Sequence, residues 1–257
     1  MLAASCSAFG DILPNVSLEA LTSPELARAI AGGKTTVLVP IGGTEQNGPY
    51  MVLGKHNARA RFLAERIALE LGNALVAPVI AYVPEGGTNP PTAHMRFAGT
   101  ITIPEATFES VLESTAQSLG LAGFRDIVFL GDHGGYQPAL QRVAQRLNRE
   151  RSATSARAYA IVEYYRASDA SFAAALKARG YTPAEIGTHA GLADTSLALA
   201  VDPSLVRADH LKTTPPPSEK EGVHGDPRRA SAELGQIGVE LVVAQTTSAI
   251  RTAISHR

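Results

Sequence analysis

Tryptophan is absent from the 257 residues, and phenylalanine and tyrosine contribute seven each. A core for a chain of this length must therefore be built mainly from Ala, Leu, Val and Ile. There is a single cysteine, Cys6, which excludes an internal disulfide and any zinc site built from thiolates. No run of 18 or more apolar residues occurs, so no stretch has the length of a membrane-spanning helix. Charge of one sign is also lacking. Lys and Arg number 23 against 24 Asp and Glu, a formal net charge of -1. With no basic cluster and no aromatic-interleaved basic patch, nothing favours nucleic acid or an anionic membrane as partner. The opening "MLAASCSAFGD" has no helical pattern and no charged segment before its small residues. Residues 1–20 read as a flexible N-terminus, with the remnant of a trimmed export signal as the alternative. The compartment is left open between cytoplasm and export.

What is present is an alternation of apolar runs and amphipathic stretches. "TTVLVPI" (35–41) reads as a buried strand ended by Gly-Gly. "HNARARFLAERIALEL" (56–71) places Ala60, Leu63, Ile67 and Leu71 on one helical stripe, and Gly72 stops it. "ALVAPVIAYV" (74–83), the short "TITIP" (100–104), "DIVFLG" (126–131) and "ARAYAIVEYY" (156–165) read as further strands. Helices are expected after residue 104, from Gln137 onward, over "DASFAAALKARG", over "THAGLADTSLALAV" with a Thr188 cap, and at the C-terminal end. In that last helix Leu234, Ile237, Leu241 and Ala244 are expected to face inward. Strands apolar on both faces and separated by helices predict a mostly parallel sheet covered on both sides, a single α/β domain over residues 21–257.

In such sheets, ligands collect where the strands end. Glu45 and His56 follow the first strand, Glu85 and His94 the second, and Asp132 and His133 follow "IVFLG" directly. His189 and Asp194 lie farther on, in "THAGLADTS". His133, at a rigid strand end beside two glycines, reads as a metal ligand. Glu45 and His56 are candidates for the same centre, and Asp132 reads as a supporting carboxylate behind a ligand. His94 and Glu85 are expected to bind substrate, in a long loop, "EGGTNPPTAHMRF", that shapes a pocket wall. His224 reads as part of a helix-entry turn.

Five segments, in order from about residue 36 to residue 236, resemble the creatininase (creatinine amidohydrolase) family. They are "GGTEQNGPYMVLGKHN", "HMRFAGTITIP", "GDHGGYQ", "THAGLADTS" and "GVHGDPRRASAELG". The resemblance implies a three-layer α/β/α sandwich and a divalent-metal site, often with two metals. It also implies hydrolysis of a C–N bond in a cyclic or linear amide through a metal-activated water, and assembly of a homo-oligomer, commonly a hexamer. By the same resemblance Glu45 and His133 match ligands of one metal, and Asp194 matches a position, usually Glu, that serves the second. His189 matches the histidine credited with proton transfer.

The chain departs from the family pattern at two linked positions. Asn47 stands where the family has a histidine ligand, and His56 stands where it has a bridging aspartate. A carboxylate can bridge two cations, whereas an imidazole offers one lone pair to one metal. The expectation is therefore one metal per chain, held by Glu45, His56 and His133. Zn²⁺ is the first choice, with Fe²⁺ or Mn²⁺ as alternatives. His189 would shuttle the proton, Asp194 would orient the water, and Asn47, released from ligation, would offer its amide to substrate or to the developing oxyanion. The substrate is expected to be a small non-peptide amide. Creatinine itself is disfavoured by the altered ligands and the missing tryptophans. Rival readings on the same scaffold are a metal-dependent lyase or isomerase, a peptide-processing enzyme, and a catalytically silent small-molecule binding protein.

Overall fold

The computed structural model describes residues 15–150, 156–213 and 215–256; most of the N-terminal stretch expected to be flexible, residues 1–14, lies outside them. Ser17 pairs with Val76 in an isolated parallel bridge. The elements run α1 (Ser23–Ala31), β1 (Thr36–Ile41), α2 (Lys55–Leu71), β2 (Ala74–Val76), α3 (Glu105–Leu121), β3 (Asp126–Gly131), α4 (Gln137–Glu150) and β4 (Arg157–Ala160). There follow α5 (Val162–Arg166), a π-helical turn (Ala167–Ser171), α6 (Phe172–Lys177), α7 (Pro183–Ile186), α8 (Leu192–Val201), α9 (Ala208–Thr213) and α10 (Ala232–Ser255).

Four strands form one parallel sheet in the order β2-β1-β3-β4. β1 and β3 are central and register Val37 with Ile127 and Val39 with Phe129. Successive side chains of a strand point to opposite faces, and the two cores follow that alternation. Leu38, Val128 and Leu130 pack with Leu63 and Ile67 of α2, Phe172 of α6, Leu197 of α8 and Val239 of α10. Val37, Val39, Ile127 and Phe129 pack with Phe108 and Leu112 of α3 and with Leu140 and Val143 of α4. Each such fully buried side chain contributes about 1.5–3 kcal/mol relative to exposure. The result is the three-layer α/β/α arrangement expected from the sequence.

Several elements differ from the reading of the sequence. The run over residues 74–83 forms a strand only over Ala74–Val76, because Pro78 has no N–H for the ladder; Ile80 makes an isolated bridge to Ile41. Residues 100–104 form no strand. Ile101 N–H donates to Thr44 O (2.9 Å) and Ile103 N–H to Val83 O (3.2 Å), so the segment is stitched across two loops instead. β4 ends at Ala160, and the chain turns into α5 where a longer strand was expected. α8 starts at Leu192 with Gly191 as its N-cap, while the Thr188 N–H donates to His224 O (2.8 Å), so Thr188 does not cap the helix. In α10 the buried face runs through Gly235, Val239, Val242, Thr246 and Ile250, and Ala244 is exposed. Small residues set that face. A Cβ on Gly235 would come within 1.8 Å of Ser196 O, so α10 lies against α8 closer than a side chain allows.

Candidate metal and catalytic centre

The site lies beyond the carboxyl ends of β1 and β3, where adjacent strands deliver their loops to one place. Tyr136 locks these ends together. Its hydroxyl lies 2.8 Å from Ile41 O and 2.7 Å from Gly42 O, and it accepts from the N–H groups of Asp132 and His133, both at 3.1 Å. Gly42 allows α2 to close on β1, since a Cβ there would meet Asn57 backbone at 2.9 Å. Gly43 (φ +149°) leaves room for Glu85, whose Oε1 would lie 2.7 Å from an added Cβ.

Glu45 is the hub, 0% exposed. Its Oε2 faces His94 Nε2 at 3.3 Å and His133 Nε2 at 3.4 Å. Glu85 Oε2 lies 3.8 Å from the same His133 nitrogen. One ligand atom from each of Glu45, Glu85, His94 and His133 falls within 4.8 Å of all the others. Glu45 Oε2 and both Glu85 oxygens are buried with no hydrogen-bond partner. Buried carboxylate oxygens without donors are costly, and two of them converging with two imidazoles form a donor set that a divalent cation satisfies. The residues present therefore fit a metal. Burial, together with the charge of Glu45, raises the Glu85 carboxyl to about 9. Burial holds His133 down to about 3 and also lowers His94, so both rings are neutral near pH 7. Gly135 N–H donates to His133 Nδ1 (3.1 Å), which puts the ring proton on Nε2; ligation through Nε2 would need the other tautomer, with the proton on Nδ1 and the Gly135 contact released.

On its other side, Glu45 Oε1 lies 2.7 Å from His56 Nε2, while His56 Nδ1 lies 2.6 Å from Asp132 Oδ2. A neutral imidazole has one N–H, so the ring meets both carboxylates only by carrying a second proton or by yielding one contact to a cation. Burial works to raise the Glu45 carboxyl, but the charge and hydrogen bond of His56, with Lys55 and His133, carry it well below the carboxylate range. Asp132 also accepts from Arg59 Nε (2.8 Å) and from the Tyr164 hydroxyl (2.8 Å). Arg59 Nη1 donates to Asp194 Oδ1 at 2.6 Å, and Lys55 Nζ donates to Asp194 Oδ2. Burial opposes ionisation of Asp194, and Lys55 and Arg59 overcome it, leaving the carboxyl well below its usual range.

The expected site residues thus separate by place. Glu45, His133, His94 and Glu85 form one group that could hold a metal, and His94 also lines the cavity. His56 is not among those four; it borders the same cavity and bridges Glu45 and Asp132. His189 and Asp194 border the same cavity of about 280 Å³, together with His94, His133, Lys55 and Arg59. Asn47 does not. It is buried, and its Nδ2 donates to Glu45 O and Val52 O, both at 2.9 Å, which leaves no amide hydrogen for a substrate or an oxyanion. Lys55 and Arg59 escaped the sequence reading. The signal available was their spacing of four on a helix that begins inside the loop cluster, but two cations among surface-like charges looked solvated.

A parallel sheet with a carboxylate–imidazole cluster beyond its central strands defines an α/β protein equipped for metal-assisted chemistry. This chain belongs to the creatininase family: the family model, described as creatinine amidohydrolase, matches residues 19–250. It is 30% identical over 224 residues to a mycofactocin precursor peptide peptidase of Mycolicibacterium smegmatis, covering 78% of each chain. To a creatinine amidohydrolase of Pseudomonas putida it is 26% identical, over 90% of this chain and 94% of that one. A solved mutant creatininase of Zn-Zn type shares the fold with a TM-score of 0.72 at 23% identity, over 93% of this chain and 98% of that one. Among the described residues no helix is long and apolar enough to cross a membrane.

Proposed function

We propose that this chain is a metal-dependent hydrolase of an amide C–N bond, with one divalent metal held among Glu45, Glu85, His94 and His133. The observation that carries this reading is the three partnerless, buried carboxylate oxygens facing two neutral imidazoles. Two carboxylates and two imidazoles suit Zn²⁺, and Fe²⁺ or Mn²⁺ by the same chemistry. When bound, such an ion supplies Lewis acidity toward a carbonyl and toward water. His56, fixed by Asp132, orients Glu45. His189 fits the proton shuttle. Its Nε2 lies 3.0 Å from Gln46 O and 3.1 Å from the Gln46 side-chain nitrogen, and its Nδ1 lies 3.7 Å from Glu45 Oε1. Burial, reinforced by Lys55, lowers this ring to about 4, so it is neutral near pH 7, and its place beside Glu45 on the cavity wall is what supports a proton-relay role. Asp194, already engaged by Lys55 and Arg59, contributes charge and position.

The cavity of about 280 Å³ suits a small cyclic or linear amide held whole, near the lower bound for small-molecule sites. A second reading has one specific support, the similarity to the mycobacterial precursor peptide peptidase. On that reading the same space takes only the end of a peptide. The test is hydrolysis by Zn²⁺- or Mn²⁺-loaded protein in ¹⁸O-labelled water, on small cyclic amides, linear amides and short peptides. Label in a carboxyl product supports hydrolysis, and the substrate panel separates the two readings. A product without label from a turned-over substrate rejects hydrolysis, and protein that takes up no metal rejects the centre.

A further inference from the structure

The two oxygens of Glu45 look in different directions, and only one faces the metal-ligand group. Oε2 meets His94 and His133. Oε1 meets His56 and, at 3.8 Å, the ammonium of Lys55. Lys55 is 1% exposed, at the first residue of α2, and its Nζ reaches on to Asp194. Arg59, one turn later on the same helix face, holds the other Asp194 oxygen and Asp132. A carboxylate at the hub, a carboxylate across from it and a cation between them is the layout of a metal subsite, but here the cation is covalently attached. Lys55 and Arg59 together bring two positive charges to Asp194 and its neighbours, the charge of one divalent ion.

We infer that Lys55 is a built-in cation occupying the position of a second metal ion, and that it limits the centre to one metal per chain. The inference rests on the metal-dependent reading above. It explains how Asp194 keeps its negative charge beside the cavity, held by Lys55 and Arg59, while Asn47 spends its amide hydrogens on backbone carbonyls. Lys55 acts here through Asp194 and Glu45 as a positioning residue, independently of any substrate. A solved relative of Zn-Zn type shows that the fold accommodates a two-ion centre. In this chain the ammonium excludes the second ion by occupying its carboxylates and repelling it.

The experiment is Mn²⁺ stoichiometry by elemental analysis after gel filtration, with electron paramagnetic resonance to detect a spin-coupled pair. It is run on the full chain and on Lys55→Met and Lys55→Arg. One ion per chain is expected for the parent and for Lys55→Arg, and two ions with a coupled-pair spectrum for Lys55→Met. If Lys55→Met does not fold in metal-free buffer, the inference expects Mn²⁺ during expression and refolding to rescue it with two ions bound, and failure of that rescue overturns it. One ion in both parent and Lys55→Met overturns the role of Lys55 and leaves the proposed hydrolase centre standing. Two ions in the parent also overturn it. No ion in the parent removes the metal-dependent reading itself, and this inference with it.

Discussion

At the scale of single residues, the carboxyl of Glu85 is the group whose environment differs most usefully from that of an unfolded chain. It is buried beside the ionised Glu45 with neither oxygen partnered, and it is raised to about 9. An acid whose folded pKa lies above its unfolded value binds the proton more tightly when folded, so its contribution is present at low pH and lost as pH rises through about 9. His133 and His189, lowered to about 3 and about 4, have the opposite slope, but it is spent below their ordinary value of 6.5. Metal-free protein is therefore expected to lose stability between pH 6.5 and 9, and Glu85→Gln to flatten that slope. Urea midpoints across this range check it; an unchanged slope in the variant would put the proton elsewhere.

The residues differed in how far the sequence disclosed their parts. Glu45 and His133 were legible because strand–Gly punctuation places them at the edge of a parallel sheet. His94 and Glu85 were legible as members of the site but not as neighbours of the same two ligand atoms, since their loop folds back over the strand ends. Asn47 read as a ligand position set free, and only the structure shows its amide spent on Glu45 O and Val52 O. Partnering of that kind leaves no trace in spacing.

At the scale of elements, apolar periodicity located the longer helices but not the short ones at Ser23–Ala31, Val162–Arg166, Pro183–Ile186 and Ala208–Thr213, and it placed the centre of the α10 contact one step off. The bulky residues of α10, Leu234, Ile237 and Leu241, do pack against the core but only at its margin, Ala244 is exposed, and the most deeply buried line, from Gly235 to Ile250, includes two residues without side chains. Gly235 lies against Ser196 of α8, and Gly238 against Leu197 and Phe172. Gly235→Ala would force a methyl to within 1.8 Å of the Ser196 carbonyl oxygen. Overpacking typically costs about 1–3 kcal/mol and more where backbone has to move. A fall in thermal midpoint of several degrees is expected, with metal stoichiometry preserved in the folded fraction. A midpoint equal to the parent's would mean the two helices separate freely. The shortened β2 and the vanished strand at residues 100–104 share another cause: proline and edge position end a ladder that composition alone suggests.

For the whole molecule, the α/β/α layering was legible because each strand is apolar on both faces and each helix on one. The placement of the centre was legible through the same logic, as loops at strand ends. Its electrostatics were not. They depend on α2 entering the loop cluster with its first turns buried, so that Lys55, His56 and Arg59 meet three acids delivered by separate segments of the chain, Glu45, Asp132 and Asp194.

That helix start is poorly made by the usual standards. Gly54 gives α2 no side-chain cap, its first turn carries no acid, and Lys55 sits at the end where the helix dipole is positive. A buried ion pair is often no more stabilising than apolar residues of similar volume, and its replacement can gain about 1–4 kcal/mol. The double variant Lys55→Met/Asp194→Leu, which removes both partners and leaves Arg59 with Asp132, is expected to melt above the parent. Lys55→Met alone should melt below it when free of metal. A double variant that also melts lower would show that the pair stabilises the fold. With the expected order, the first turn of α2 is a place where selection has accepted a weaker protein in return for a charged, chemically capable one.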